Sequence, residues 1–359
     1  MKKLNFVVLI QAVLLVFSFY CYAQEKNTGE KLAPVLNIYN WEDYIAPTAI
    51  EGFEKKFGVK VNLETFKDEE EMISSIQSNP GKYDVVITAN NVVRTMIESR
   101  LLEPIDLGNI SNFKNIDSRF VNLDYDPGNK YSVPYIWGTT GIAYNTKYVK
   151  EDVDSWGIFW DSKYKGKMSL LVNPYDVFSL GLKYMGYSLN STDLSQLEAV
   201  GKKLMEEKPF LCGYEDAVTI RDKLISGELW IGHIYSGDAI SACDKNSDIK
   251  YVIPKEGVLL WVDNLCVPHN ARHKRTAEVF INYILEPKVS ADIANYLVYA
   301  NCNKAARDYT LKEILDNPTV YPSDEMLKDC EFYKDTDNPE ALAQREKAIN
   351  KIWSELQAK

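Results

Sequence analysis

Apolar residues along this chain switch between the period of a strand and that of a helix. Val35-Leu36-Asn37-Ile38-Tyr39 reads as a short strand running into Asn40-Trp41. After Pro47, the apolar residues Ile50, Phe53 and Phe57 recur at helical spacing, and Gly58 stands where a helix C-cap belongs. Val59, Val61 and Leu63 alternate as a strand does. Asp68-Glu69-Glu70-Glu71 then opens a helix with apolar positions at Met72 and Ile76, the acids suiting its positive end. The β-branched run Val85-Val86-Ile87 predicts a strand buried on both faces. Strand, helix, strand, helix, strand is the order of a parallel sheet with right-handed crossovers, whose ligands sit beyond the carboxyl ends of the strands. Trp41 to Tyr44 and Thr88 to Asn91 fall on that edge.

The same style continues from about Tyr144 to Gly257. Met168 to Val172 reads as a strand, Tyr175–Tyr187, Ser195–Glu206 and Val218–Ser226 as helices, and Trp230–Tyr235 as a buried strand. Asp176 lies where a strand hands over to a helix, and reads equally as a helix-start carboxylate or a ligand group. Leu259–Val267 is a strand on which Trp261 and Asp263, two residues apart, share a face. Thr276–Tyr299 reads as an amphipathic helix pair divided at Pro287, and the rest, to Lys359, as helical and charged. No internal repeat is present.

The N-terminus changes the compartment. Lys2 and Lys3, an apolar run from Phe6 to Phe19 and the small residue Ala23 form a secretory signal peptide cut after Ala23. Cys21 is the competing candidate, as the acylated first residue of a lipoprotein. Removal of residues 1–23 takes away two lysines and no acids, moving the formal charge from −10 to −12. That balance argues against nucleic acid or anionic lipid as partner and suits a cationic small molecule. The mature length exceeds what one core usually serves, so two domains are expected. Five cysteines remain after cleavage: Cys212, Cys243, Cys266, Cys302 and Cys330. Their odd number leaves at least one unpaired, and with His233, His269 and His273 they make no zinc pattern.

Aromatic rings adjoin carboxylates in Trp41-Glu42-Asp43-Tyr44, in Tyr235-Ser236-Gly237-Asp238 and in Trp261-Val262-Asp263. Ring faces and carboxylates together suit a desolvated ammonium, although each cluster alone also reads as buried aromatics beside surface acids. No GxSxG, HExxH, Walker or GxGxxG motif occurs, and His233 in its apolar strand reads as a core histidine. A secreted glycan-processing enzyme, which also uses rings and paired acids, stays open as an alternative, as does a binder of another small cation.

The segments Asn40-Trp41-Glu42-Asp43-Tyr44-Ile45-Ala46-Pro47, Tyr131 to Gly138 and Trp261 to Leu265, with Tyr321-Pro322, resemble the periplasmic spermidine/putrescine-binding proteins of polyamine ABC transporters. The resemblance implies an α/β, two-lobe periplasmic-binding-protein fold with a ligand cleft between the lobes. It implies residues 1–23 as signal peptide, 24–34 as tether, 35–140 plus 263–310 as one lobe and 141–262 plus 311–359 as the other. It also implies a non-catalytic, monomeric periplasmic protein without cofactor or metal that hands a polyamine to a membrane permease.

Carried over by position, Trp41 and Tyr44 would pack on the polyamine and Asp43 would meet an amine. Trp261 would stack on the methylenes, Asp263 would pair with an ammonium, and Asp176 would be the acid of its loop. Tyr235 stands for a tryptophan, Tyr299 matches a binding tyrosine and Tyr333 replaces a glutamine of spermidine-type members. Glu42, Asn91, Ala89 and Asn173 depart from the pattern, while Asp238 resembles the putrescine type and Trp261 the spermidine type, so the specificity signals conflict. Cys302 and Cys330 fall near Tyr299 and Tyr333; a disulfide between them and two separate buried thiols both remain open.

Overall fold

The computed structural model describes residues 31–334 and 338–358, so the expected signal peptide, Cys21 and most of the tether lie outside the described residues. The first three strands form as the periodicity predicts: β1 (Val35–Trp41), β2 (Lys60–Phe66) and β3 (Val85–Ala89), all parallel in the order β2-β1-β3. Helix α1 (Pro47–Phe57) starts on its proline and ends on Gly58 at φ 67°, ψ 23°, a left-handed conformation that glycine adopts without strain. Helix α2 (Glu69–Ser78) is capped by Asp68, whose carboxylate accepts from Glu71 N at 2.8 Å, while Glu71 turns back to accept from Lys67 N at 3.0 Å. Helix α3 (Asn90–Glu98) follows β3 with no intervening loop.

The middle of the sheet was not legible as a period. Strand β4 (Ser132–Asn145) is buried at every position, so it shows no alternation, and it carries polar residues such as Thr139 and Thr140 inside. It is followed by β5 (Met168–Leu171), α4 (Pro174–Tyr184), α5 (Leu194–Glu207), β6 (Leu211–Glu215), α6 (Ala217–Ser226), β7 (Ile231–Tyr235) and α7 (Ser236–Lys245). Next come β8 (Ile249–Val252), β9 (Leu259–Cys266), α8 (Lys274–Ile284), α9 (Pro287–Leu297) and β10 (Ala300–Asn301). The strand order is β2-β1-β3-β9-β4-β7-β5-β6.

Strands β4 and β9 are the seam. β9 bonds β3 on one side and β4 on the other, and β4 takes β7 as a further partner from Thr140 onward. Two α/β units therefore share one antiparallel pair of strands, one unit carrying β1 to β3 and the other β5 to β7. A register shift between Pro134 and Ile136 bulges β4 at Tyr135, beside a proline that has no N–H to give the ladder.

The C-terminal stretch corrects the expectation of continuous helix. Among the described residues, a 3-10 helix (Lys304–Asp308) is followed by just two α-helices, α10 (Lys312–Leu315) and α11 (Pro339–Gln357), with the short strand β11 (Glu331–Phe332) adding parallel to β9. Pro318 and Pro322 interrupt the intervening chain by removing donors and fixing φ. Leu311 N donates to Asn295 Oδ1 and Asn301 N donates to Tyr321 Oη, which hold residues 311–321 against the first unit. Helix α11 instead packs on the second unit, with Ile352 against Gly201 of α5. Among the described residues no helix is long and apolar enough to cross a membrane.

Candidate functional site

Strand β9 delivers Trp261 and Asp263 from one face to the space between the two units, as the two-residue spacing predicts. Asp263 is only 8% exposed, and Tyr44 Oη donates to its Oδ2 at 2.5 Å. Burial pushes its carboxyl up to about 6, with the Tyr44 hydrogen bond pulling the other way. Tyr44 is held in turn by the bulged residue of β4, since Tyr135 Oη donates to the Tyr44 carbonyl at 3.1 Å.

A second buried acid comes from the other unit. Asn173, not Asp176, caps α4, its Oδ1 accepting from the N–H groups of Tyr175 and Asp176. That leaves the Asp176 carboxylate free of the helix start, and it accepts from Tyr235 Oη at 2.8 Å and Thr140 Oγ1 at 3.4 Å. Asp176 is 4% exposed and burial raises it to about 6, these two hydroxyls opposing the rise. Among the described residues neither acid has a lysine, arginine or histidine in ion-pair contact.

A row of rings joins the two acids. Tyr44 and Tyr299 meet edge to face at 6.0 Å, Tyr299 and Trp261 at 5.7 Å, and Trp261 and Tyr235 at 6.3 Å. Two glycines permit this approach. A Cβ on Gly138 would lie 2.2 Å from Trp261 Cζ2, and one on Gly237 would lie 1.6 Å from Tyr299 Cζ. Tyr299 follows Val298, whose φ of 55° is strained for a β-branched residue and turns the chain out of α9 toward the rings. Gly237→Ala is accordingly expected to displace Tyr299 and lower ligand affinity by about tenfold or more, measured by calorimetry, with the thermal melt of the free protein confirming folding.

The remaining residues suggested by sequence stand at varying distances from this row. Trp41 is half-buried and packs on Phe66 at 4.4 Å between ring centroids. Glu42 and Asp43 are exposed, with Asp43 at φ 52°; both line an outer groove that Tyr44 also borders. Asn91 is exposed on the first turn of α3. Tyr333 donates to the Tyr175 carbonyl at 2.7 Å and so packs on the start of α4, close enough for Asp176 to act on its hydroxyl. Asp238, in the first turn of α7, pairs with Arg221 Nη1 at 3.3 Å, and burial still raises its carboxyl.

Several neighbours were not singled out from sequence. Asn90 is buried and its Oδ1 accepts from Val262 N at 3.1 Å, fixing the peptide between Trp261 and Asp263. Thr140 and Tyr135 act as described above. Glu69, read only as a helix-start acid, is half-buried and raised to about 8, first by burial and then by the charges of Asp263 and Asp176. His233 is a core residue at 1% exposure, its ring against Trp156 and its imidazole lowered to about 3 by burial. All five described cysteines are free thiols, which settles Cys302 and Cys330 as unpaired.

Residues 48–322 match the family described as bacterial extracellular solute-binding protein. The chain is 33% identical over 337 residues to the spermidine/putrescine-binding periplasmic protein of Escherichia coli (strain K12), covering 93% of this chain and 94% of that protein. It is 31% identical over 334 residues to the putrescine-binding periplasmic protein PotF of the same organism, covering 88% of each. A solved structure of PotD, a spermidine/putrescine ABC transporter substrate-binding protein from Streptococcus pneumoniae in complex with calcium and HEPES, superposes with a TM-score of 0.82 at 32% identity. That match covers 90% of this chain and 100% of the other. Two α/β units sharing a strand pair are the two-lobe architecture of such proteins, and this chain belongs to the bacterial extracellular solute-binding protein family.

Proposed function

We propose that this protein binds a polyamine in the cleft between its lobes and delivers it to a membrane ABC transporter. One observation carries the reading: Asp263 and Asp176 are buried from opposite units at the two ends of a row of rings, and no basic side chain pairs with either among the described residues. Two carboxylates separated by aromatic surface match ammonium groups separated by methylenes. A cation over a ring contributes about 0.5–2 kcal/mol, rising with desolvation. Unit charges 4 Å apart interact by about 4 kcal/mol at an effective dielectric of 20, before desolvation is subtracted. Such contacts outweigh the lost freedom of a flexible chain when the cleft closes over it. The proteins it resembles are named as binding components, so the glycan-processing alternative is not favoured.

We assign Trp41, Tyr44, Tyr235, Trp261 and Tyr299 to ring contacts and Asp263 and Asp176 to the ammonium groups, with Tyr333 behind Asp176. Glu42, Asp43 and Asn91 are assigned to the mouth. The hydrogen bonds of Leu311 and Tyr321 support drawing the first lobe as 35–140 plus 263–321, with the rest of the chain returning to the second. Family membership gives an extracytoplasmic location; export by cleavage after Ala23, a monomeric state and docking to a permease belong to the proposal. In a thermal-shift panel, putrescine or spermidine at about 100 times its Kd should add about 2.7 kcal/mol of stability, and neutral sugars none. A melting temperature unmoved by either polyamine would sink the reading.

A further inference from the structure

The peptide bond that leads into Asp176 is held at both ends. Its N–H, on Asp176, donates to Asn173 Oδ1 at 3.3 Å, and its carbonyl, on Tyr175, accepts from Tyr333 Oη at 2.7 Å. Tyr333 Oη also lies 2.8 Å from Ser179 Oγ, one turn further along α4. Asn190 fixes the chain on either side of Tyr333, its Nδ2 donating to the Phe332 carbonyl at 2.9 Å and its Oδ1 accepting from Lys334 N at 2.8 Å. The Tyr333 ring meets Tyr175 edge to face at 5.9 Å, and the Arg345 guanidinium lies over it, 5.5 Å from the centroid. Arg345, on α11, is 4% exposed. Its Nη2 donates to the Leu189 carbonyl at 2.9 Å, its Nε has no hydrogen-bond partner, and no carboxylate reaches ion-pair distance among the described residues.

We propose that Arg345 is a positioning residue of the ligand cleft, holding the Tyr333 ring so that its hydroxyl pins the Tyr175-Asp176 peptide and aims the Asp176 carboxylate at an ammonium group. This rests on the polyamine reading above. A buried guanidinium with a single hydrogen bond and no acid is costly to fold, and an apolar side chain of similar size would serve the packing of α11 better. Its specific contact beyond Leu189 is the cation over the Tyr333 ring. Asn190 already fixes the backbone at Tyr333, so what is left for Arg345 is the tilt of the ring, and the tilt sets where the hydroxyl falls. The Tyr175 carbonyl and the Asp176 N–H belong to one rigid plane, so a displaced hydroxyl turns that plane and moves the carboxylate against Tyr235 and Thr140. Arg345 acts from behind Tyr333 without pairing with Asp176, which leaves the charge of that acid for the ligand.

Melting curves and calorimetric titrations with putrescine and spermidine test this on Arg345→Met, Arg345→Lys, Tyr333→Phe and the double variant of Arg345→Met with Tyr333→Phe. Arg345→Met should bind both polyamines about tenfold more weakly while the free protein melts no lower than wild type, since an acid-free buried cation gives way to an apolar chain. Arg345→Lys keeps a cation for the ring and should stay within about threefold of wild type. Tyr333→Phe keeps the ring and loses the hydroxyl, so it should match Arg345→Met in affinity. The double variant should bind no more weakly than either single one, because both act through one contact. Full affinity in Tyr333→Phe, losses that multiply in the double variant, or a lower melt with unchanged affinity in Arg345→Met would each overturn the assignment while leaving polyamine binding intact. A wild type that binds neither ligand overturns the polyamine reading itself, and this assignment with it.

Discussion

Asp263→Asn will melt higher than the native protein when both are free of ligand, and will bind polyamine at least about thirtyfold more weakly. The two effects share one cause. Asp263 is 8% exposed and its carboxyl sits at about 6 rather than 3.8, so above pH 6 the fold carries a charge it would hold more comfortably unfolded. Two pKa units correspond to about 3 kcal/mol as an upper bound, and relaxation brings the expected gain to about 1–3 kcal/mol. Asparagine keeps an oxygen for the Tyr44 hydroxyl, so the local geometry survives. What it removes is the counter-charge for an ammonium, and truncating one partner of a buried charge pair costs about 2–5 kcal/mol of binding. Calorimetry and melting curves on one preparation check both halves. A variant less stable than wild type above pH 6, or one of unchanged affinity, would contradict the account.

Acidification will weaken polyamine binding by about a hundredfold between pH 7 and pH 5. Asp263 and Asp176 both stand at about 6 in the free protein, and a cation needs both ionised. Over that window each acid's protonation lowers the apparent affinity by about tenfold, and the two multiply. The sign for folding is opposite. A carboxyl raised in the folded state binds its proton more readily folded than unfolded, so its contribution to stability improves as pH falls from about 6 toward 3.8. Free protein should therefore gain from these two groups on mild acidification while the complex loses. A flat affinity between pH 7 and 5 would exclude Asp263 and Asp176 as the ammonium partners.

Both expectations require acids that are buried and lack basic partners, and this was only partly visible in the chain. The Trp261 and Asp263 pair could be placed on one face because strand geometry has a period of two, and neither residue needs a distant neighbour for that statement. Asp176 could not be resolved from sequence. Whether it served the helix start or faced a ligand depended on Asn173, three residues earlier, taking the cap, and on Tyr235 and Thr140 reaching its carboxylate from distant strands. Asp238 showed the reverse: its spacing from Tyr235 marked it as a cation contact, but Arg221, on a different helix, already occupies it. The partial burial of Glu69 was hidden because an acidic helix start looks the same whether its acids face water or the rest of the chain.

The chain by itself determined its local elements and its outer framework. Periodicity, the Pro47 start, the Gly58 cap and the Asp68 cap depend on residues within a few positions of one another, and so placed the strands and helices of the first unit. The ring and acid types likewise announced a cation. Only the tertiary structure decided that β4, buried on both faces and so without a readable period, is one of the two strands the lobes share. It alone decided which acids were left unpaired, because a carboxylate's neutralisation depends on whatever charge folds to within a few ångströms, from any distance along the chain.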